Sequence, residues 1–470
     1  MEKDKNKTSE KPTSSAKVND KVQKDDNKQE KTKNSKVQLV LLIIIPLLLL
    51  IMGGAYYLWT LNSYDPARYA EIMEEGDRAY EELEYSTALD HYIDATEFAP
   101  RQYEAYSKII HILSEKRRFS DAVNIINGVV VHLDPVDYAK LWKDLGDGYV
   151  RSKLYLEATD AYEQAYKYDK DPAYVVMIVD VALRAGLIEK ASSYIGQIES
   201  SSEAVLQVWD NYQKGLGDDI KIFEVVTLAK RYIEDGYSYL ASEILLAHIE
   251  ELENYWEGHY YLGRALYDDG KLDKAVTYFE SAVSLGSDHP ILYLYLARAN
   301  NQLAEKNSTY NYYERAISFA DETQTPEFIN EYVTLLIEDS QKARMEELLA
   351  RYEDENWAKI LMLQLYRSNS EWDEFDVVLE AFSEDEIPSY QQESYNILMA
   401  EYNMYFTEDL EEADNYIEKL SSTSMRYLYK GILMVEEGDK EKARINLRRA
   451  IDTDLEGAVT ELAEKTLSNI

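Results

Sequence analysis

Apolar positions recur three and four residues apart through most of the chain beyond residue 65, and this spacing predicts amphipathic helices. The stretch WKDLGDGYVRSKLYLEATDAYEQAYKYDKDP, residues 142–172, shows the pattern well, because small and large apolar side chains alternate along it. Small residues such as Gly146 and Ala158 let two helices approach closely, and large aromatic residues such as Tyr162 fill the space around them. The pattern therefore predicts a pair of antiparallel helices.

The same spacing returns down the chain, and a small residue in the second helix of each pair gives the register. That position, or its stand-in, falls at Ala88, Ala122, Ala158, Ala191, Ala241, Ala275, Thr309, Ala343, Phe375, Ala413 and Ala443. The interval is 34 residues three times in succession from Ala241 to Ala343, and elsewhere it ranges from 30 to 38, apart from one step of 50 after Ala191. A chain of 470 residues exceeds the roughly 250–300 residues that one core can serve, whereas a repeat array has no such limit. Gly270 and Gly438 stand where a first helix must end and the chain must turn.

This arrangement resembles the tetratricopeptide repeat, whose pattern is W-x2-L-G-x2-Y followed by alanine, an aromatic residue, alanine and proline. One copy matches at Trp142, Leu145, Gly146, Tyr149, Ala158, Tyr162 and Ala165. Other copies match at Gly76, Ala88, Tyr92, Ala95 and Pro100, at Leu262, Gly263, Gly270, Ala275, Phe279 and Ala282, and at Gly431, Gly438, Ala443 and Ala450. The resemblance covers residues 65–470 and implies an all-α fold, an α-solenoid of stacked antiparallel helix pairs in a superhelix.

The step of 50 residues divides the predicted array into two blocks. We expect about four repeats over residues 65–199 and about seven over residues 222–455. Between them, polar, glycine and aspartate residues predict an inserted helix and a loop over 200–221. A capping helix is expected over 456–470, because a solenoid needs a solvated end.

The segment before the repeats divides into a charged tail and an apolar span. Residues 1–36 are rich in lysine, lack aromatic residues, and cannot bury enough apolar surface to fold, so we expect a disordered tail. Residues 37–61 carry no charge, and Leu39–Leu61 is long enough to cross a bilayer as a transmembrane helix. The lysine excess of the tail places the N-terminus in the cytoplasm and the repeats on the extracytoplasmic side of the cell membrane. The alternative is cleavage at Gly53-Gly54-Ala55, which would release a secreted form.

Charge and composition exclude several classes of function. The net charge is −38, and because the tail holds eleven lysines against seven acidic residues, the rest of the chain carries −42 and repels nucleic acid. The chain has no cysteine, so disulfides, thiol catalysis and zinc thiolate sites are excluded. Its six histidines form no H-x-x-x-H pair, and no glycine-rich phosphate loop is present. We therefore expect no enzyme activity, no cofactor and no metal site.

A basic ladder is the most specific candidate for a binding site. Lys230, Arg264, Arg298 and Tyr332 follow one another at intervals of 34 residues, and Tyr260 and Tyr267 flank them. The resemblance implies that first helices line a concave groove in which a protein or peptide binds. There the ladder would receive a carboxylate, an acidic peptide or an anionic glycan. The alternative is ordinary pairing along the helix face, since acidic residues stand four positions after Lys230 and Arg264.

The sequence leaves three functions open. The first is a membrane-anchored scaffold or adaptor that holds a protein partner in the groove of residues 222–350. The second is a receptor-like binder of an acidic peptide or a cell-wall glycan, and the third is a subunit that presents substrate to a separate enzyme. Tyrosine-rich stretches such as YNYYERA and ILYLYLARA supply either contacts to a partner or packing between repeats.

Overall fold

The computed structural model describes residues 47–48, 50–54, 65–198, 203–383, 387–455 and 457–470. It contains helices and no strand within these ranges, which confirms the predicted all-α repeat fold. The chain divides into two units, Met1–Ala70 and Glu71–Ile470. The predicted disordered tail lies outside the described residues, as does the predicted span Leu39–Leu61 except for 47–48 and 50–54, which are helical. None of the described helices is both long enough and apolar enough to cross a bilayer.

Consecutive helices form pairs, and the first four pairs precede residue 196. They are α1 (Pro66–Glu81) with α2 (Tyr85–Phe98), α3 (Tyr103–Glu115) with α4 (Phe119–Val129), α5 (Pro135–Arg151) with α6 (Tyr155–Tyr168), and α7 (Pro172–Arg184) with α8 (Ile188–Ile195). A further helix, α9 (Glu203–Gly215), stands alone before the next pair. Its last carbonyl oxygen, that of Gly215, lies 2.9 Å from Nε2 of the buried His248.

Seven more pairs follow within the described residues. They are α10 (Ile222–Glu234) with α11 (Ser238–Ala247), α12 (Trp256–Asp268) with α13 (Leu272–Ser284), α14 (Pro290–Gln302) with α15 (Lys306–Phe319), α16 (Thr325–Glu338) with α17 (Lys342–Leu349), α18 (Asn356–Ser368) with α19 (Trp372–Glu380), α20 (Gln392–Tyr402) with α21 (Leu410–Glu418), and α22 (Thr423–Glu436) with α23 (Lys440–Thr453). The last helix is α24 (Thr460–Ser468). A π-helical segment, Asn403–Thr407, extends α20.

Close approach within a pair depends on a glycine in the first helix and a large side chain sixteen positions later in the second. The pairs are Gly76 with Tyr92, Gly146 with Tyr162, Gly263 with Phe279, and Gly431 with Leu447. A Cβ atom added at any of these glycines would lie only 2.4 to 2.6 Å from a carbon of its partner. The alternation of small and large residues in the sequence is therefore a steric requirement of the pair.

The small position of the second helices is buried as predicted, with one exception. Ten of the eleven predicted residues have no exposed surface, including Ala275 and Thr309. Ala343 is exposed, and Met345 takes the buried place in α17. Met345 is the fourth residue of its helix, as Ala275 is of α13, so the assignment of Ala343 to the register was wrong by two residues. The helix start fixes the register, and a constant interval of 34 does not.

The turn inside each pair uses a left-handed residue two positions after the first helix ends. Gly270 and Gly438 hold this position with φ of 71° and 80°, as their sequence context predicts. Residues with a Cβ hold it in other pairs, at Leu83, Arg117, Lys153, Ala304, Ser340 and Ser370. The left-handed region costs such residues roughly 1–2 kcal/mol each, so packing of the two helices must offset it.

The hydrophobic core continues past the single helix α9. One cluster of buried side chains runs from Val179 in α7 to Leu365 in α18. Polar contacts join the same regions, because Arg184 of α7 donates to the carbonyl oxygen of Asp235 at 2.6 Å. The hydroxyl of Tyr237 also donates to the carboxylate of Asp180. The pairs before and after α9 therefore pack directly on one another.

Candidate protein-binding surface on the first helices

The basic ladder occupies one position on three successive first helices. Lys230, Arg264 and Arg298 are the ninth residues of α10, α12 and α14. Tyr332 is instead the eighth residue of α16, because that helix begins one residue later in the period. Equal positions on neighbouring helices bring equal side chains to the same face of the stack.

Two members of the ladder meet on an aromatic ring that the sequence pattern did not single out. The guanidinium carbon of Arg264 lies 4.3 Å from the ring centre of Tyr295, and that of Arg298 lies 5.5 Å from it. Tyr267 meets the same ring edge-on, with ring centres 5.3 Å apart. Cation–π contacts of this kind hold the arginine side chains in place. We call Tyr267, Tyr295, Arg264 and Arg298 the arginine–tyrosine cluster.

Arg298 already has a carboxylate partner within the protein. Its Nε and one terminal nitrogen donate to the two carboxylate oxygens of Glu331, at 2.8 and 2.6 Å. The hydroxyl of Tyr313 donates to the same carboxylate at 2.6 Å. Burial favours the neutral acid, but the hydrogen bonds from Arg298 and Tyr313 outweigh it and lower the pKa of Glu331. The charge of Arg298 is thus largely neutralised where it stands.

Arg264 is the less satisfied of the two arginines. Its Nε is buried and has no hydrogen-bond partner in the described part of the chain. The rest of the side chain is half-buried beside Tyr260 and Tyr295. A buried donor without an acceptor costs roughly 1–3 kcal/mol, so a ligand oxygen at this place would be favourable.

A cavity of about 530 Å³ opens next to the arginine–tyrosine cluster. Its walls include Tyr267, Arg298, Asn301, Gln302, Tyr313, Glu327, Asn330, Glu331, Thr334, Leu335 and Glu338. Three of these side chains are acidic and one is basic, so the cavity does not offer a purely cationic surface. It offers amide, hydroxyl and aromatic groups with charges of both signs.

The other predicted site residues lie apart from this cluster or beneath the surface. Lys230 is exposed, and its Nζ is 3.9 Å from the carboxylate of Glu234, close to the helix-face pair that the sequence allowed. Tyr332 is fully buried and stacks on Tyr313 with ring centres 4.9 Å apart. Tyr260 is also buried, at 8% exposure. These two tyrosines pack between helices, while Tyr267 remains partly exposed.

Comparison with known proteins places the repeat most firmly in the middle of the array. A family model described as the tetratricopeptide repeat matches residues 256–289, which hold α12 and α13. No curated protein gives a significant match to the chain.

Solved structures of repeat proteins share the helical arrangement at low similarity. A tetratricopeptide repeat protein from Parabacteroides merdae is 18% identical over 52% of this chain and 96% of its own, with a TM-score of 0.39. The TPR2AB domain of yeast Sti1, in complex with pHSP90, is 14% identical over 56% of this chain and 96% of its own, with a TM-score of 0.24. MamA from Desulfovibrio magneticus is 15% identical over 38% of this chain and 94% of its own, with a TM-score of 0.21. At such scores, these likenesses carry no information about partners.

Proposed function

We propose that this chain is a scaffold that binds a protein partner along the first helices of residues 222–350, with the arginine–tyrosine cluster as the central contact. The observation that supports this is the contact of Arg264 and Arg298 with one tyrosine ring. Arginine and tyrosine are the side chains most enriched where protein interfaces gain their energy. Because packing already holds them, binding would cost little side-chain entropy.

The charge balance of this surface favours a partner with both charged and apolar groups. Glu331 neutralises Arg298, and Glu327 and Glu338 line the adjoining cavity. Lys230 and Arg264 supply the positive charge that remains available. The second candidate, a receptor-like binder of an acidic peptide or cell-wall glycan, depends on these two residues alone.

We further propose that Leu39–Leu61 anchors the chain in the cell membrane with the repeats on the extracytoplasmic side. The support is the uncharged length of the span and the lysines that precede it. The cleaved, secreted form is the alternative, and it would carry the same binding surface.

Site-specific photo-crosslinking tests the binding surface in the full-length chain. A photoreactive residue in place of the exposed Thr334, which lines the cavity, should capture a partner in the native membrane. The double variant Lys230→Glu and Arg264→Glu should lower the adduct yield roughly tenfold, as expected for about 1.4 kcal/mol of lost binding. Arg298 is left unchanged, because its reversal would break the pair with Glu331. The measurement is the adduct band after affinity purification.

The matched control reverses an exposed lysine on a second helix. Lys274→Glu of α13 changes the charge as Lys230→Glu does but lies off the proposed surface, so the adduct yield should not change. Equal yields from the double variant and this control would reject the proposed surface. An acidic peptide or anionic glycan that displaces the protein adduct would favour the receptor-like alternative.

Intact mass measurement of the chain purified from membranes tests the anchor. The proposal predicts the full mass from Met1 and retention in the membrane pellet after alkaline washing. A mass that begins after Ala55, together with release into the medium, would establish the secreted form instead. The binding experiment does not depend on which of these results is obtained.

A further inference from the structure

The first and last helix pairs of the array meet, and the meeting involves a helix terminus on each side. α2 begins at Tyr85 in the first pair, and α23 ends at Thr453 in the last. Glu84 stands at the N-cap of α2 but its side chain makes no capping hydrogen bond. The first amide groups of a helix have no partner within it, so α2 needs an acceptor from elsewhere.

Asp452 supplies that acceptor from the other end of the array. Its Oδ1 accepts hydrogen bonds from the backbone nitrogen of Ser86 at 2.7 Å and from the Ser86 hydroxyl at 2.5 Å. A carboxylate at the start of a helix satisfies a free amide and interacts favourably with the helix dipole. Asp452 therefore does for α2 what an N-cap side chain usually does.

Lys116 makes the reciprocal contact at the end of α23. Its Nζ donates to the carbonyl oxygens of Asp452 at 2.8 Å and of Ile451 at 3.5 Å. These carbonyls belong to the last turn of α23, where no later amide of the helix reaches them. A cation is favourable at this end of a helix. An ion pair between Glu84 and Arg449, 3.8 Å apart, lies alongside.

Polar groups form most of the junction between the two ends. A cavity of about 960 Å³ lies there, and only Leu89, Ile451 and Leu455 among its lining residues have large apolar side chains. Solvent-exposed polar and ionic contacts of this kind contribute little stability each. The junction is therefore much weaker than the packing inside a helix pair and is suited to opening.

We propose that Ser86, Lys116 and Asp452 form a latch that reversibly joins the first and last helix pairs. The array then has a closed state, in which the two helix termini cap one another, and an open state, in which water caps both. A partner that binds one state more tightly shifts the population toward it. The latch goes beyond the proposed binding function and does not depend on it.

A pair of spin labels tests the latch in the full-length chain in detergent. The chain contains no cysteine, so Asp90→Cys on α2 and Glu464→Cys on α24 give two unique labels near the junction. Distance measurement by electron paramagnetic resonance should show a single short-distance population. Lys116→Met with Asp452→Ala should reduce that population roughly fivefold, since two contacts with helix termini are lost. Salt at about 1 M, where the Debye length is about 3 Å, should act in the same direction.

The matched control removes one acid and one lysine that lie elsewhere. Asp94→Ala with Lys274→Met should leave the short-distance population unchanged, because neither residue lines the junction. Dilution with unlabelled chain should also leave it unchanged, whereas loss on dilution would show a contact between two copies. The latch is rejected if the unsubstituted chain lacks the short-distance population, or if the Lys116 and Asp452 variant retains it.

Discussion

Replacing Phe279 with alanine should destabilise the α12–α13 pair by about 3–5 kcal/mol, the usual cost of emptying a fully buried aromatic site. Phe279 has no exposed surface and fills the space opposite Gly263. Because a repeat array need not unfold in one step, the measurement is amide hydrogen exchange in α12 and α13. The control Phe319→Ala removes an aromatic ring that is 40% exposed, and we expect a smaller loss there.

A double-mutant cycle shows whether the glycine and the ring form one steric unit. Gly263→Ala alone should destabilise, because the new Cβ would lie 2.5 Å from the Phe279 ring. In the Phe279→Ala background the same change should stabilise by up to about 1 kcal/mol, since alanine is the better helix former and the ring is gone. The effect of the alanine thus changes sign. The same sign in both backgrounds would contradict the steric account of the repeat.

Replacing Arg367 with methionine should cost about 2–3 kcal/mol in the α18–α20 region, because it leaves a buried carboxylate without its cation. Arg367 donates to both oxygens of Glu401, and Tyr429 donates to Oε1 of the same group at 2.7 Å. Glu401 is only 7% exposed, so water cannot replace the arginine fully. Hydrogen exchange in α18 and α20 measures the loss.

The variant Glu401→Gln distinguishes an orphan charge from lost packing. In the Arg367→Met background it removes the charge but keeps an oxygen that accepts from Tyr429, so it should restore more than half of the stability. A control, Arg351→Met, breaks an exposed pair with Glu347 at 3.5 Å and should cost less than about 1 kcal/mol. If Glu401→Gln restores nothing, the loss comes from the arginine stem and not from the charge.

The repeat fold was predictable because its steric rule is written in residue size. Each glycine in a first helix has its large partner sixteen positions later, and this offset survives where the period of the array drifts. The register failed at Ala343 because a constant interval was assumed, whereas α17 buries its fourth residue, Met345. The turns were predictable only where glycine marks them. Residues such as Ala304 adopt the same left-handed conformation without a signal in the sequence.

The candidate surface was only partly predictable, since spacing gives position but not environment. The interval of 34 residues placed Lys230, Arg264 and Arg298 at one position on successive helices. It could not show that Glu331, 33 residues after Arg298, would neutralise that arginine. Tyr295 lies in a stretch of alternating tyrosine and leucine where exposed and buried rings look alike in sequence. Only the packing of neighbouring helices separates them.

The junction between Ser86 and Asp452 also bears on how this gene could grow or shrink. Arrays of helix pairs ordinarily tolerate duplication or loss of a whole unit, because each unit touches only its neighbours. Here an extra pair would displace one terminus from the other by about 10 Å, the distance between packed helices, which no hydrogen bond of 2.7 Å survives. The two ends thus count the units between them, and a chain with one unit more or fewer would lose the means of joining its ends.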